Sequence, residues 1–289
     1  MLVNAHKAGQ LANCLVHGAH LVAAGLEHGH RVANPGLLEY AAYFPATRDD
    51  LLCRFPARPS FLPHGPRARR ALYRLVRLSV PTLRRVPLLG PRVRAVVWRD
   101  PHVVYRLDGP EFAALARRAG LLLLEGWNFR SGAVEAHAEA IRRYFTPLPE
   151  HLRRVEEVVG PLRAGPGPLV GVHVRRGDYA GHLGGRYFWE VGAYAALVRR
   201  LAGAFPDRRP AFLVCSNERL DPALFEGLPV TFGPGHLIED LHAFARCDYL
   251  VGPPSTYTLW ASFYGRVPLR HLESPGDEVR PEDFRVASI

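Results

Sequence analysis

The chain of 289 residues is 48% hydrophobic and carries a formal net charge of +10, from 37 Lys and Arg against 27 Asp and Glu. That length and apolar fraction suit one large domain or two of ordinary size. Charged residues are 22%, and no stretch approaches the roughly 20 consecutive apolar residues of a membrane span, so neither disorder nor a spanning helix is expected.

Cys14, Cys53, Cys215 and Cys247 lie far apart and form no CxxC pair, which argues against a zinc knuckle or a disulfide framework and fits a reducing compartment. The start, Met1 to Cys14, carries Asn4, His6, Lys7 and Gln10 where an export signal needs an unbroken apolar segment, so a cytoplasmic location is expected. Lys7 is the only lysine, and the arginine excess favours anionic partners such as phosphates. The same chain is rich in Ala, Gly and Pro, as a general coding bias would also produce, and only clustered arginines count as evidence.

In chain order, a short apolar segment at Met1 to Val3 precedes helical spacing of Leu11, Leu15, Ala19, Val22 and Leu26, closed by Gly29. Arg31 to Asn34 then reads as a strand, which gives an α/β opening. Strands at Val93 to Trp98 and Val103 to Arg106 follow, then a helix from about Pro110, a strand at Leu121 to Glu125 and a helix through Val134 to Phe145. Arg67 to Arg94 is an arginine-laced apolar stretch in which Arg70, Arg74 and Arg77 recur at helical spacing. It reads either as a solvated surface helix or as an interfacial helix resting on an anionic membrane that carries lipid-linked glycans. Gly160 to Pro168 is the densest cluster of chain breakers in the middle of the sequence, and the domain junction is expected there, between residues 1–164 and 165–289.

Beyond it, strands at Leu169 to Val174, Ala211 to Cys215, Pro229 to Phe232 and Tyr249 to Val251 alternate with helices at about Trp189 to Ala204, Ile238 to Arg246 and from Thr256. That pattern predicts a mostly parallel sheet covered by helices. In such a sheet the ligand lies outside the carboxyl ends of the strands.

Three strand ends carry suitable chemistry. LVGVHVRRGDY ends in Arg175 and Arg176, flanked by His173 and Asp178; two guanidinium forks grip a diphosphate through bidentate bonds, and a structural Arg to Asp ion pair is the plainer alternative. FLVCSNE ends in Ser216, Asn217 and Glu218, groups suited to a ribose or sugar but also to capping the next helix. DYLVGPPSTYTLW runs through Ser255 and Thr256 into a helix, an anion site or a simple cap. Glu239 and Asp240 fall in the first turn of the preceding helix, where they either favour its dipole or accept the ring N–H and amino protons of a guanine. The opening loop HKAGQLAN matches no phosphate-loop pattern. Cys14, His17 and His20, followed by His28 and His30, permit shared metal ligation by spacing, yet no fourth ligand completes a known pattern.

HVRRGDY (His173 to Tyr179), EDLHAFARCDYLV with STYTLW behind it, and GQLANCLVHGAHLVAAGLEHG resemble the three signature regions of glycosyltransferase family 11, the α-1,2-fucosyltransferases, and of the wider fucosyltransferase superfamily. WNFRSGAVEAHAEAIRRYF, Trp127 to Phe145, resembles the helix region before the domain junction in bacterial members. The resemblance implies a GT-B-like fold of two Rossmann-like halves, an acceptor-side first half, a GDP-fucose donor, and inverting transfer to a sugar hydroxyl of a glycan without a metal. It places Arg175 on the β-phosphate, Arg176 and Asp178 around it, His173 and Asp240 facing guanine, Ser255 and Thr256 on the phosphates, and Asn13 in the N-terminal loop. Ser216 and Asn217 join these as donor-binding candidates at their strand end. The family pattern is not kept throughout: Ala12-Asn13 stands for the usual Gly-Asn, and STYTLW for STFSWW.

No Asp-x-Asp pair occurs to hold a metal against a diphosphate, so arginine is expected in that electrostatic role. Candidates for a base near the motif are Asp178 and His182; the reading favoured here needs neither, with the acceptor proton passing to water or phosphate after early departure of the leaving group. Nucleic-acid binding is the rival class for a basic chain, but it does not explain why the arginine pair and the hydroxyl pair both fall at strand ends. A catalytically inactive sugar-binding relative, or a transferase for another nucleotide sugar, are the remaining alternatives.

Overall fold

The computed structural model describes residues 1–85, 92–204 and 209–289. It divides into two α/β units, Met1–Leu148 and Pro149–Ile289.

The first unit contains β1 (Leu2–Asn4), α1 (Leu11–Glu27), β2 (Val32–Ala33), α2 (Pro45–Arg48), β3 (Arg54–Phe55), α3 (Pro66–Arg85), β4 (Val93–Val97), β5 (Tyr105–Arg106), α4 (Pro110–Arg118), β6 (Leu121–Glu125), β7 (Phe129–Arg130) and α5 (Ala138–Tyr144). Its main sheet has the order β3-β2-β1-β6-β4, parallel except for β3 against β2, and β5 pairs with β7 apart from it. The expected helix at Leu11 is buried on almost every side, which is why its apolar residues do not form a single stripe. Gly29, at φ +66°, ends it as a left-handed cap. The strand expected at Val103 shrinks to Tyr105–Arg106, because the Val103 carbonyl accepts the Trp98 indole N–H instead of joining a ladder. Of the basic stretch, Arg67 to Arg85 belongs to α3, Arg92 precedes β4, Arg94 lies within it, and residues 86–91 lie outside the described residues.

The second unit contains α6 (Pro149–Arg163), β8 (Leu169–Val174), α7 (Val191–Ala204), β9 (Ala211–Ser216), β10 (Val230–Phe232), α8 (Leu237–Phe244), β11 (Tyr249–Gly252), α9 (Thr256–Gly265), β12 (Pro268–His271) and β13 (Arg285–Val286). Sheet order is β10-β9-β8-β11-β12-β13, parallel throughout except for β13. All of β8 is buried: Val170, Val172 and Val174 pack with Tyr194, Leu197 and Val198 of α7, while Gly171 meets Leu250, Phe244 and Cys247 on the other face. Full burial of a valine or leucine contributes about 1.5–3 kcal/mol, so this central strand anchors the unit.

The boundary falls one helix earlier than the junction expected between residues 164 and 165. Gly160 and Pro161 lie inside α6, which belongs to the second unit through ion pairs to α8 and its flank, Arg154 to Glu239 at 3.0 Å and Arg246 to Glu156 at 2.6 Å. Pro161 lies two residues before the end of that helix and removes one bond, the one its missing N–H would have made to the Glu157 carbonyl. All four cysteines are buried free thiols. No helix of the described residues is long and apolar enough to cross a membrane.

Candidate active site

In the second unit β8 starts the sheet, β9 and β10 extend it to one side, and β11 resumes on the other. The strand order therefore reverses between β8 and β11, and a ligand crevice is expected outside their carboxyl ends. His173, Arg175, Arg176, Asp178, Ser216, Asn217, Asp240, Ser255 and Thr256 all fall at this edge.

The two arginines are held differently. Arg175 lies 4.9 Å above the Tyr179 ring and donates from Nη2 to Asp178 at 2.7 Å, and its amide N–H donates to the Tyr194 hydroxyl at 3.3 Å. Arg176 is committed to the fold: Nη1 donates to the Trp189 carbonyl at 2.7 Å, Nε to Glu218 at 3.1 Å, and the guanidinium stacks over Phe188 at 4.3 Å. Its backbone is clamped by Asn217, whose Oδ1 accepts from the Arg176 amide at 2.9 Å and whose Nδ2 donates to the Arg176 carbonyl at 3.2 Å. Gly177 follows at φ +61°, and a Cβ there would stand 2.7 Å from that same Nδ2. The turn and the clamp both require glycine.

Tyr179 donates to the Pro254 carbonyl at 2.8 Å and so ties the Arg175 loop to the loop that opens α9. There Ser255 caps α9, accepting from the Tyr257 amide at 3.2 Å, with Thr256 in the first turn. The cap role and the positive helix end thus coincide next to the Arg175 loop. His173 is buried, stacked on Tyr257 at 5.4 Å and edge-on to Phe244 at 5.8 Å. Burial, then the nearby Arg175 and His271, push its imidazole down to about 3. It is a neutral ring.

On the β9 side Val214, Cys215, Ser216, Asn217, Gly233, Gly235 and Asp240 line a cavity of about 370 Å³. Asp240 is 5% exposed; its Oδ1 accepts from the Gly235 amide at 3.0 Å and the Cys215 thiol bonds to its carboxyl. Burial raises it to about 6 against those two bonds. Gly233 has to lack a side chain, since a Cβ would sit 2.4 Å from Cys215 Sγ and 2.6 Å from Asp240 Oδ1. Ser216 accepts from the Glu218 amide at 3.1 Å, the local turn that capping chemistry predicts.

His182 stands exposed in the next turn, tilted on the Tyr179 ring at 5.0 Å, among left-handed Leu183, Gly184 and Gly185. His182 thus meets the Arg175 loop through the Tyr179 ring. Asn13 lies in α1 of the first unit. The sequence reading missed Cys215, Tyr179 and Tyr257, whose roles come from partners far along the chain.

For metals, His17 and His20 do not pair as ligands: His17 Nε2 bonds Asn4 at 3.3 Å and His20 Nδ1 accepts from the Ser131 amide at 3.1 Å. Among the described residues His151, His236 and Glu239 gather within 4.8 Å, but Glu239 Oε1 already takes bonds from His151 at 2.8 Å and Arg154 at 3.0 Å. That cluster joins α6 to α8 as an ion pair network.

No family model matches the chain. Over 197 residues it is 32% identical to galactoside alpha-(1,2)-fucosyltransferase 1 of Homo sapiens, covering 62% of this chain and 52% of that protein. The counterpart from Pan troglodytes is 35% identical over the same coverage. The chain therefore spans about half the length of the curated relatives it matches. Among solved structures, a mutant FUT1 of Arabidopsis thaliana in complex with GDP matches 98% of this chain and 72% of its own at TM-score 0.60 and 10% identity. Fucosyltransferase NodZ from Bradyrhizobium matches 96% of each chain at TM-score 0.55 and 15% identity. At such identities the likeness establishes the fold alone, and it is the expected one: α/β and GT-B-like, with two Rossmann-like halves built on mostly parallel sheets.

Proposed function

We propose that the chain is a glycosyltransferase that moves fucose from GDP-fucose to a sugar hydroxyl of a glycan, with inversion and without a metal. The carrying observation is the convergence, at the switch point of one parallel sheet, of Arg175, the α9 N-terminus and the cavity floored by Asp240. The curated relatives are named as α-(1,2)-fucosyltransferases, and the Arabidopsis structure holds GDP, which accords with this reading.

In the proposed mechanism Asp240 and the neutral His173 face the base, with Ser216 and Asn217 beside it. Arg175 lies on the β-phosphate, where its guanidinium offsets the charge that develops as the diphosphate departs. Arg176 and Asp178 hold the Arg175 loop in place. Ser255 and Thr256 present the positive end of α9 to the phosphates. Asp178 is engaged by Arg175 and His182 is exposed, which fits transfer with no dedicated base, the acceptor proton passing to water or phosphate. The first unit, with Asn13, would serve the acceptor side, and the setting would be cytoplasmic.

A thermal-shift screen tests this. GDP and GDP-fucose at 100 times their dissociation constant should stabilise the fold by about 2.7 kcal/mol, with EDTA present, while other nucleotide sugars and RNA do not. A shift with UDP-sugars and none with GDP reassigns the donor, and fucose transfer that vanishes with chelator and returns with Mn²⁺ overturns the metal-free reading.

A further inference from the structure

Between Asp50 and Asp100 the sequence holds twelve arginines and no acidic residue. Much of that stretch is α3, and its inward side is fixed by packing. Arg69 is 5% exposed and gives its guanidinium to the carbonyls of Thr47, Arg48, Asp50 and His64. Val80 is fully buried, with Val76 and Leu83 against the cluster of Val3, Ala33 and Leu123.

The outward side is of another kind. Arg67, Arg70, Arg74 and Arg77 are exposed, and none makes an ion pair among the described residues. At 100° per residue these four form one strip, and Ala71, Leu75 and Leu78 form the strip beside it. Leu75 is 67% exposed and Leu78 72%; in the loop before α3, Phe61 is fully exposed and Leu62 59% exposed. Single exposed leucines are ordinary, but two on adjacent turns beside four unpaired cations and an exposed phenylalanine make a surface with two chemistries.

We propose that this outward face of α3, with the Phe61-Leu62 loop, docks on an anionic lipid bilayer. The arginines meet headgroup phosphates, and the leucines and Phe61 enter the boundary of the acyl chains, the helix lying in the plane of the interface. A polyanion such as nucleic acid would use the same four guanidinium groups but gains nothing from Leu75 and Leu78. The proposal is independent of the nucleotide-sugar reading, because it concerns where the chain rests and not what it transfers.

Vesicle flotation of the full chain tests it, with phosphatidylcholine alone or mixed with phosphatidylglycerol. The wild type should float only with the anionic vesicles, and less as salt is raised. Each juxtamembrane arginine strengthens binding about fivefold, so Arg70→Gln, Arg74→Gln and Arg77→Gln together should weaken it about 100-fold, whereas the three Lys replacements keep most of it. Leu75→Ser with Leu78→Ser, at unchanged charge, should weaken it about tenfold or more. All these positions are exposed, so melting curves should match the wild type. Absence of flotation on anionic vesicles overturns the proposal. So does undiminished binding of the Leu75→Ser, Leu78→Ser variant, or an oligonucleotide that wild type and that variant bind equally well in preference to vesicles.

Discussion

The carboxyl edges of the two sheets invite comparison because their topology is alike. Each has its first strand in the middle and reverses order beside it, at β1 and β6 in one unit and at β8 and β11 in the other. In the first unit neutral groups bond among themselves at the end of β1, with Glu125 at the end of β6 and the Lys7–Glu39 pair as the charges nearby. Asn4 donates to Asn34 at 2.7 Å and accepts from the His6 amide at 2.9 Å and from His17, and Gly36 presses so near that a Cβ would stand 2.3 Å from the His6 carbonyl oxygen. In the second unit the edge carries charge at partly exposed positions around a cavity. A shared topology supplies the crevice, and the residues after the strands decide whether it is filled or used.

The largest expected effect is one the two edges should share. Burial holds His17 and His20 in the first unit and His173 and His242 in the second down to about 3. A folded value below the unfolded one of about 6.5 means that the neutral form is favoured, so this stability is present above pH 6.5 and is lost as pH falls towards 3. Between pH 6.5 and 5 each histidine forfeits about 2 kcal/mol, and the four together rival the whole stability of a domain. Calorimetry across that range should show both units melting earlier; a unit whose transition stays put would break the comparison.

Next is Arg175→Ala, expected to lower kcat/KM by about 10² to 10³ with an unchanged melting curve, while Arg175→Lys restores little. The opposite edge should differ: Asn34→Ala should cost about 1–3 kcal/mol of stability and leave catalysis per folded molecule intact. Turnover near normal in Arg175→Ala, or lost in folded Asn34→Ala, would erase the contrast. Asp240→Asn comes third. An acid raised from 3.8 to about 6 on folding contributes a penalty that is absent below pH 3.8, grows as pH rises, and is complete above 6. The variant should therefore be more stable at pH 7 by up to about 3 kcal/mol and lose that pH dependence, while binding GDP more weakly. Smallest is Gly177→Ala, at φ +61°, which should cost about 1–2 kcal/mol in a denaturant titration, plus whatever displacement of Asn217 adds.

The legible parts of the fold were those with dense local signal. The mostly buried runs of β8, β9 and β11 end in polar or glycine punctuation, and periodicity finds them. β12 starts at Pro268 and is only partly buried, and β13 is two residues paired antiparallel with Pro268 and Leu269, so neither has a pattern of its own. The helix α6 shows tertiary packing overriding breakers: Gly160 and Pro161 read as a linker, yet pairing with α8 carries the helix through them. At the candidate site, Arg175, Arg176, Ser255 and Asp240 stood at strand or helix ends and were visible for that reason. The Tyr179 bond to Pro254 and the Cys215 thiol on Asp240 join positions far apart in sequence, and no local spacing announces them.

The Asn217 clamp has a consequence for how a ligand would be met. The backbone ladder between β8 and β9 ends with Val174 opposite Ser216. Beyond that rung the Asn217 amide offers Arg176 one acceptor and one donor, the pair of groups a further strand residue would have offered. A side chain thus prolongs the sheet past the end of its strand. The peptide that carries the arginine pair is ordered when the chain folds, so an incoming anion meets a preorganised edge and keeps the free energy that arranging a loose loop would have consumed.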